Sequence, residues 1–140
     1  MSARLAPTVV DPASRGFFVA AAEGRLAVLT CTRCGGRTHL PRPCCVHCGA
    51  HGMEWRDVTP RGRARSWTVV EHQVHPLFPT PYTVVLIDID DCPGVRMIGY
   101  LPGRADLDEN TVLHADFEDL GHDPEGNPTV LPRWSAEGAQ

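Results

Sequence analysis

Cys31-Thr32-Arg33-Cys34-Gly35 and Cys45-Val46-His47-Cys48-Gly49 are two matched C-x-x-C-G segments, with ten residues between the second cysteine of one and the first of the other. Two thiolates separated by two residues can reach one ion from a single tight turn. The trailing glycine frees the backbone to curl toward the sulfurs. Two such turns complete the four-sulfur tetrahedron that zinc accepts in structural sites, with Zn–S distances of about 2.3 Å. The expected ligands are therefore Cys31, Cys34, Cys45 and Cys48, holding one structural zinc. An iron–tetrathiolate centre uses the same ligands, so the pattern defines the coordination sphere more sharply than the metal. Four thiolates leave no open coordination position, which points away from metal catalysis. Cys44 is a spare thiol whose spacing to Cys48 does not suit the turn. His39, His47 and His51 read as surface histidines, because the shell is already full. The pair His72 and His75 lacks a third ligand, and Cys92 reads as a plain thiol.

Other residues have types that could serve a site. Arg61, Arg63 and Arg65 alternate as the chain enters a strand, which would put three guanidinium groups on one face. Such a row suits phosphates; the plainer alternative is a solvated face. Pro76-Leu77-Phe78-Pro79-Thr80-Pro81-Tyr82 is a proline-stiffened loop with apolar tips. Leu77, Phe78 and Tyr82 could contact a partner or an acyl chain at little entropic cost, or pack on their own domain. Asp88, Asp90 and Asp91 sit beside Pro93-Gly94 and read as turn residues. Trp55, Trp67 and Trp134 read as packing residues. No Ser/His/Asp order, phosphate loop or G-x-G-x-x-G appears.

These residues need a scaffold to position them. The chain has 140 residues, a formal charge of −4 and thirteen each of Gly and Pro, which favours one modest core of short strands and turns. All its basic residues are Arg. An acidic balance argues against a protein devoted to gripping nucleic acid. No stretch approaches the roughly 18 apolar residues needed to cross a bilayer, and the opening Met1 to Arg4 leads into no signal-like segment. The expectation is a cytoplasmic protein whose cysteines are reduced. Asp11-Pro12 looks like a helix start, and a helix is expected over Pro12 to Glu23 with Gly24 ending it. Leu26 to Thr30 reads as a strand leading into Cys31. Further strands are expected at Arg63 to His72, Thr83 to Asp90, Val95 to Leu101, Thr111 to Asp119 and Thr129 to Trp134, with a hairpin turn at Asp91 to Gly94. Five short strands suggest a small barrel of OB type. The tails, Met1 to Val10 and Ser135 to Gln140, are expected to be loose.

The order of parts is the most specific signal. A helix with Phe17-Phe18, then Glu23-Gly24-Arg25-Leu26, the two cysteine turns around Pro41-Arg42-Pro43, then Glu54-Trp55, Gly62-Arg63-Ala64 and Leu131-Pro132-Arg133-Trp134, resembles the acyl-CoA-associated zinc-ribbon/OB-fold proteins. The likeness runs from about Asp11 to Trp134. It departs at Val46, where a proline is usual, and at the extra Cys44. The resemblance implies a mainly β protein: an N-terminal tail and amphipathic helix (1–25), a rubredoxin-like zinc ribbon (26–55), a C-terminal five-stranded OB-fold barrel (56–134) and a tail (135–140). It also implies an accessory subunit of a thiolase-like or lipid-transfer-protein-like enzyme acting on acyl-CoA, in some relatives a hydratase. In that setting the partner carries the catalysis, a retro-aldol cleavage or thiolysis in lipid or steroid breakdown. The zinc/OB chain supports assembly, two copies of each chain being the expected form, and helps bind acyl-CoA. Arg61, Arg63 and Arg65 would then face CoA phosphates. The rival class is a zinc-ribbon/OB nucleic-acid-binding module.

Overall fold

Local backbone chemistry explains where the first element begins and ends. In the computed structural model, which describes Pro7 and residues 9–137, Asp11 turns the chain without opening a helix. Its Oδ1 accepts from the Ala13 N–H at 3.0 Å, and its carbonyl accepts from Ser14 and Arg15. Helix α1 therefore spans Arg15–Ala22, later than the Asp11-Pro12 signal suggests. Its end follows the glycine signal. The Arg25 N–H returns to the Ala20 carbonyl at 2.9 Å and the Gly24 N–H to Ala21 at 3.0 Å, satisfying carbonyls that the last turn leaves open.

Among the described residues eight strands follow: β1 (Leu26–Cys31), β2 (Arg37–Thr38), β3 (Met53–Val58), β4 (Arg61–Val70), β5 (Tyr82–Ile89), β6 (Arg96–Pro102), β7 (Val112–His122) and β8 (Pro128–Ala136). They form a three-stranded sheet in the order β2-β1-β3 and a five-stranded sheet in the order β6-β5-β4-β7-β8. All pairings are antiparallel. The five expected barrel strands are present, each displaced by a few residues. Strand β3 was not anticipated, because Met53-Glu54-Trp55-Arg56-Asp57-Val58 carries too much charge to read as one.

The second sheet has the connectivity of an OB barrel. Strand β4 pairs with β5 along most of its length and with β7 only at Arg61–Arg63, and its register shifts between Ala64 and Ser66. That bulge bends β4 and lets one strand serve both halves of a curled sheet. The curl brings the two edge strands, β6 and β8, face to face. Gly99 of β6 makes the approach feasible, since a Cβ there would lie 2.8 Å from Ile87 Cδ1 and 3.0 Å from Trp134 Cδ1. Trp134 is 4% exposed and plugs this seam as a core residue.

One core serves both sheets. Every residue of β1 is buried. Leu26 and Val28 join the cluster formed by Val85, Ile87, Leu113 and Trp134, with Phe17 of α1 packed against it. Burying this apolar surface is the main driving force for the fold. Inward positions alternate strictly in β5 and β6. The other two tryptophans lie elsewhere than in that core. Trp55 packs its indole over Gly16 of α1, whereas Trp67 is 38% exposed. The expected loose tails fall largely on residues 1–6, 8 and 138–140, outside the described residues. Within the described part, Val9 is buried with its N–H bonded to Asp123, and Ser135 and Ala136 complete β8. Among the described residues no helix is long and apolar enough to cross a membrane.

Candidate metal centre and adjoining surfaces

The two cysteine turns are built alike. Gly35 and Gly49 adopt φ of +75° and +78°, which side chains rarely tolerate. Their N–H groups return to the carbonyls of Cys31 and Cys45 at 3.0 and 2.9 Å. A second bond closes each turn from the other side, Cys31 N–H to the Gly36 carbonyl and Cys45 N–H to the Ala50 carbonyl, both at 2.8 Å. Strand β1 fixes the first turn in space, because Cys31 is its last residue and pairs with Met53 of β3.

The turns bring Cys31, Cys34, Cys45 and Cys48 together, with all four sulfurs within 4.8 Å of one another. Cys31 Sγ lies 3.7 Å from Cys48 Sγ, and Cys34 Sγ lies 3.5 Å from Cys45 Sγ. Zn–S bonds of about 2.3 Å in a tetrahedron set sulfurs roughly 3.8 Å apart. The donor set thus fits one zinc ion. Backbone N–H groups aim at the sulfurs: Arg33 and Cys34 at Cys31 (3.4 and 3.5 Å), Gly36 at Cys34 (3.3 Å) and His47 at Cys45 (3.3 Å). Such donors stabilise thiolate over thiol. The N–H groups of Cys34 and then Arg33 lower the Cys31 thiol to about 6, against the effect of burial. Cys45 is lowered likewise, by the N–H groups of Cys48 and His47. The Gly36 N–H also lowers Cys34, but its crowded sulfur neighbours, Cys45 first, and burial outweigh that donor and push this thiol up to about 12. A cation that displaced the last proton would relieve the crowding. Cys44 stands outside the cluster.

Of the three histidines around the centre expected at the surface, His47 and His51 are exposed and His39 is half-buried. His47 is exposed but held close, its ring sitting where a Cβ on Gly36 would fall 2.4 Å away. His39 is half-buried against the Phe17 ring, at 5.7 Å between centroids, and its Nδ1 is buried with no hydrogen-bond partner among the described residues. Burial lowers the pKa of this imidazole from 6.5. The ring of His39 is therefore expected to titrate by NMR with a midpoint below 6.5, with the signal assigned from a His39→Gln variant. The sign for stability follows. The unfolded chain takes up this proton first as pH falls, so stability drops once pH passes below the free value.

The arginine row is only partly a row. Arg61 Nη1 lies 3.0 Å from Asp90 Oδ2, and Arg63 Nε lies 3.6 Å from Asp90 Oδ1. Arg61 also reaches Glu137, at 3.7 Å. Arg65 sits in the β4 bulge, exposed and without an ion pair among the described residues. Asp90, at the turn after β5, is also the counter-ion of two arginines. Asp91 lies in the turn after β5 and ties it to the β3–β4 connection, accepting at Oδ2 from the Thr59 N–H (2.9 Å) and hydroxyl (2.8 Å).

The proline-rich loop packs its Phe78 against aromatic residues of the protein's own barrel. Phe78 meets Tyr82 at 6.3 Å and Tyr100 at 6.0 Å, and the two tyrosines lie 5.2 Å apart. Leu77 and Phe78 line a groove of about 350 Å³ with Tyr100, Leu131 and Pro132. A second groove of about 390 Å³ shares the last three residues and continues past Ile98 to Phe18 and Leu40. Leu40 and Ile98 are 74% and 70% exposed. The overlooked signal lay in β6. Met97 and Leu101 are buried on its inner face, yet Ile98 and Tyr100 expose apolar surface on its outer face as well.

Comparison with known proteins matches the chain to two family models. Residues 18–54 match a family model described as the ChsH2 rubredoxin-like zinc ribbon domain, and residues 55–119 match the ChsH2 C-terminal OB-fold domain. A solved structure titled Ltp2-ChsH2(DUF35) aldolase superposes with a TM-score of 0.75 at 28% identity, over 91% of this chain and 97% of that one. A DUF35-family protein of unknown function from Sulfolobus solfataricus shares the fold, with a TM-score of 0.57 at 18% identity, over 74% and 77% of the two chains. A protein from Thermomonospora curvata named as a probable enoyl-CoA hydratase alpha subunit is 35% identical over 89 residues. That stretch is 64% of this chain but 27% of the relative, so the chain spans only about a quarter of it.

Proposed function

Because the chain belongs to the ChsH2-type zinc-ribbon/OB-fold family, we propose that it is a zinc-binding accessory subunit of a thiolase-like or lipid-transfer-protein-like acyl-CoA enzyme. The observation that carries this reading is the solved aldolase component that covers nearly the whole chain at 28% identity. The metal's part is structural: four thiolates close its shell and tie the two turns of the ribbon together. This chain supports assembly and helps hold acyl-CoA, while the partner supplies the groups that cleave or form the carbon–carbon bond. The finer reading is a retro-aldolase or thiolase of lipid or steroid side-chain breakdown, built from two copies of each chain. A hydratase is the second partner class, supported by the name of the longer relative.

Co-expression with a thiolase-like protein tests the reading. The expected result is a partner that is soluble and co-purifies only with this chain, and a complex that performs retro-aldol cleavage or thiolysis on acyl-CoA. Failure to bind any such protein, joined to tight single-stranded nucleic-acid binding with a steep salt dependence, would overturn it.

A further inference from the structure

Two unlike surfaces meet at His39. On one side, a crevice of about 580 Å³ lies between the cysteine turns and the β5–β6 hairpin, with Arg37, His39, His47 and Asp91 among its lining residues. Its polar groups are poised for an anion. Arg37 is half-buried; among the described residues it meets the Cys92 thiol and, at 3.4 Å, the Asp91 carbonyl, and it also feels the Asp91 charge. These contacts leave most of the five guanidinium donors unused. The Asp91 carboxylate accepts from Thr59 at Oδ2 and keeps its negative charge, which the Arg37 guanidinium partly offsets. His47 brings a ring N–H in either protonation state, and Gly36 lets the ring sit close.

On the other side of His39, the apolar groove between β6 and β8 begins. His39 lines both cavities, and Tyr100, Leu131 and Pro132 carry the groove on to Phe78. His39, whose Nδ1 is buried with no hydrogen-bond partner among the described residues, is a residue that the two cavities share. Buried polar atoms without partners are uncommon in folded proteins and ask for an explanation. A ligand with an anionic head, a polar linker and an apolar tail has the matching order of groups.

We propose that the crevice and the groove form one track for an acyl thioester of CoA, with a phosphate at Arg37 and His47 and the acyl chain along Ile98, Tyr100, Leu131 and Pro132. This placement rests on the acyl-CoA reading above and deepens it. It seats the phosphates beside the metal centre and away from the Arg61, Arg63 and Arg65 row, where Asp90 already neutralises part of the charge. It also gives Leu77 and Phe78 the far end of the chain.

Calorimetric titration of the zinc-loaded full chain with octanoyl-CoA and with CoA tests the proposal. Octanoyl-CoA is expected to bind saturably and more tightly than CoA. Arg37→Gln should weaken both ligands about tenfold. Ile98→Ser, a change at an exposed position, should weaken octanoyl-CoA about fivefold and leave CoA unaffected. Arg65→Gln should change neither. The proposal is overturned if the unaltered chain shows no saturable binding of octanoyl-CoA, if both variants bind like the parent, or if Arg65→Gln and not Arg37→Gln weakens binding. A chain that captures its thiolase-like partner yet fails this titration loses the ligand track but keeps its accessory role. Saturable octanoyl-CoA binding by a chain that captures no such partner has the converse meaning.

Discussion

Replacing Cys45 by serine should take the zinc content from one ion per chain to nearly none and unfold the ribbon, while replacing its neighbour Cys44 should do neither. The two thiols are adjacent in sequence and differ only in geometry. Cys45 lies 3.5 Å from the Cys34 sulfur and receives a backbone N–H, whereas Cys44 stands outside the cluster. The expected effect is large because the ribbon has little else to hold it. Between Cys31 and Met53 most side chains are exposed, and β2 contributes only two residues. Metal binding in such modules supplies on the order of 10 kcal/mol, comparable to the roughly 5–15 kcal/mol that holds a whole domain together. A strong chelator should reproduce the loss in the unaltered chain. Hydrogen exchange would then quicken first from Cys31 to Met53, with the barrel strands exchanging later. Elemental analysis and thermal unfolding of the two serine variants are the measurements. Retention of one zinc ion and normal stability in Cys45→Ser would show that the four sulfurs are not a metal site.

This centre was the most legible part of the chain, for a physical reason. Its geometry is set inside two short turns, so spacing and glycine placement state nearly all of it. The barrel strands were legible to within a few residues, because alternation of apolar and polar positions is a local signal. In β7, for instance, Leu113 and Ala115 are buried between half-buried or exposed neighbours, as their alternation implies.

What escaped the sequence was decided by contacts between distant segments. Alternate spacing did place three arginines at the entrance to a strand, but the bulge after Ala64 and the arrival of Asp90 from the end of β5 are tertiary events. They remake a row of three into one ion-paired couple and one separate arginine. His39 offered no local sign of burial, since the Phe17 ring that covers it comes from a helix more than twenty residues earlier. The helix start failed at closer range. Asp11 bonds its own turn, as aspartate often does, and the signal for a helix cap was spent three residues too soon.

Leu26→Ala should damage the metal site as well as the barrel, although Leu26 touches no metal ligand. Leu26 is 1% exposed at the start of β1, five residues before Cys31 on the same strand, and it packs in the barrel's core cluster. Removing a buried leucine side chain in this way costs about 2–5 kcal/mol. The melting temperature should fall by roughly 10 °C. Because the metal-binding geometry exists only in the folded ribbon, part of that cost must appear as weaker metal binding, a loss of about one to three powers of ten in apparent zinc affinity. Leu113→Ala supplies the control. It makes the same chemical change at 0% exposure, but on β7, which pairs only with barrel strands. A comparable fall in melting temperature with a smaller change in zinc affinity is expected there. Competition with a chromogenic chelator measures the affinities, and calorimetry measures the melting. If Leu26→Ala weakened the barrel but left zinc affinity untouched, ribbon and barrel would be two independent units. A single shared core instead makes β1 the rod between them, so that a side chain buried under the barrel helps set how firmly four sulfurs are held at its far end.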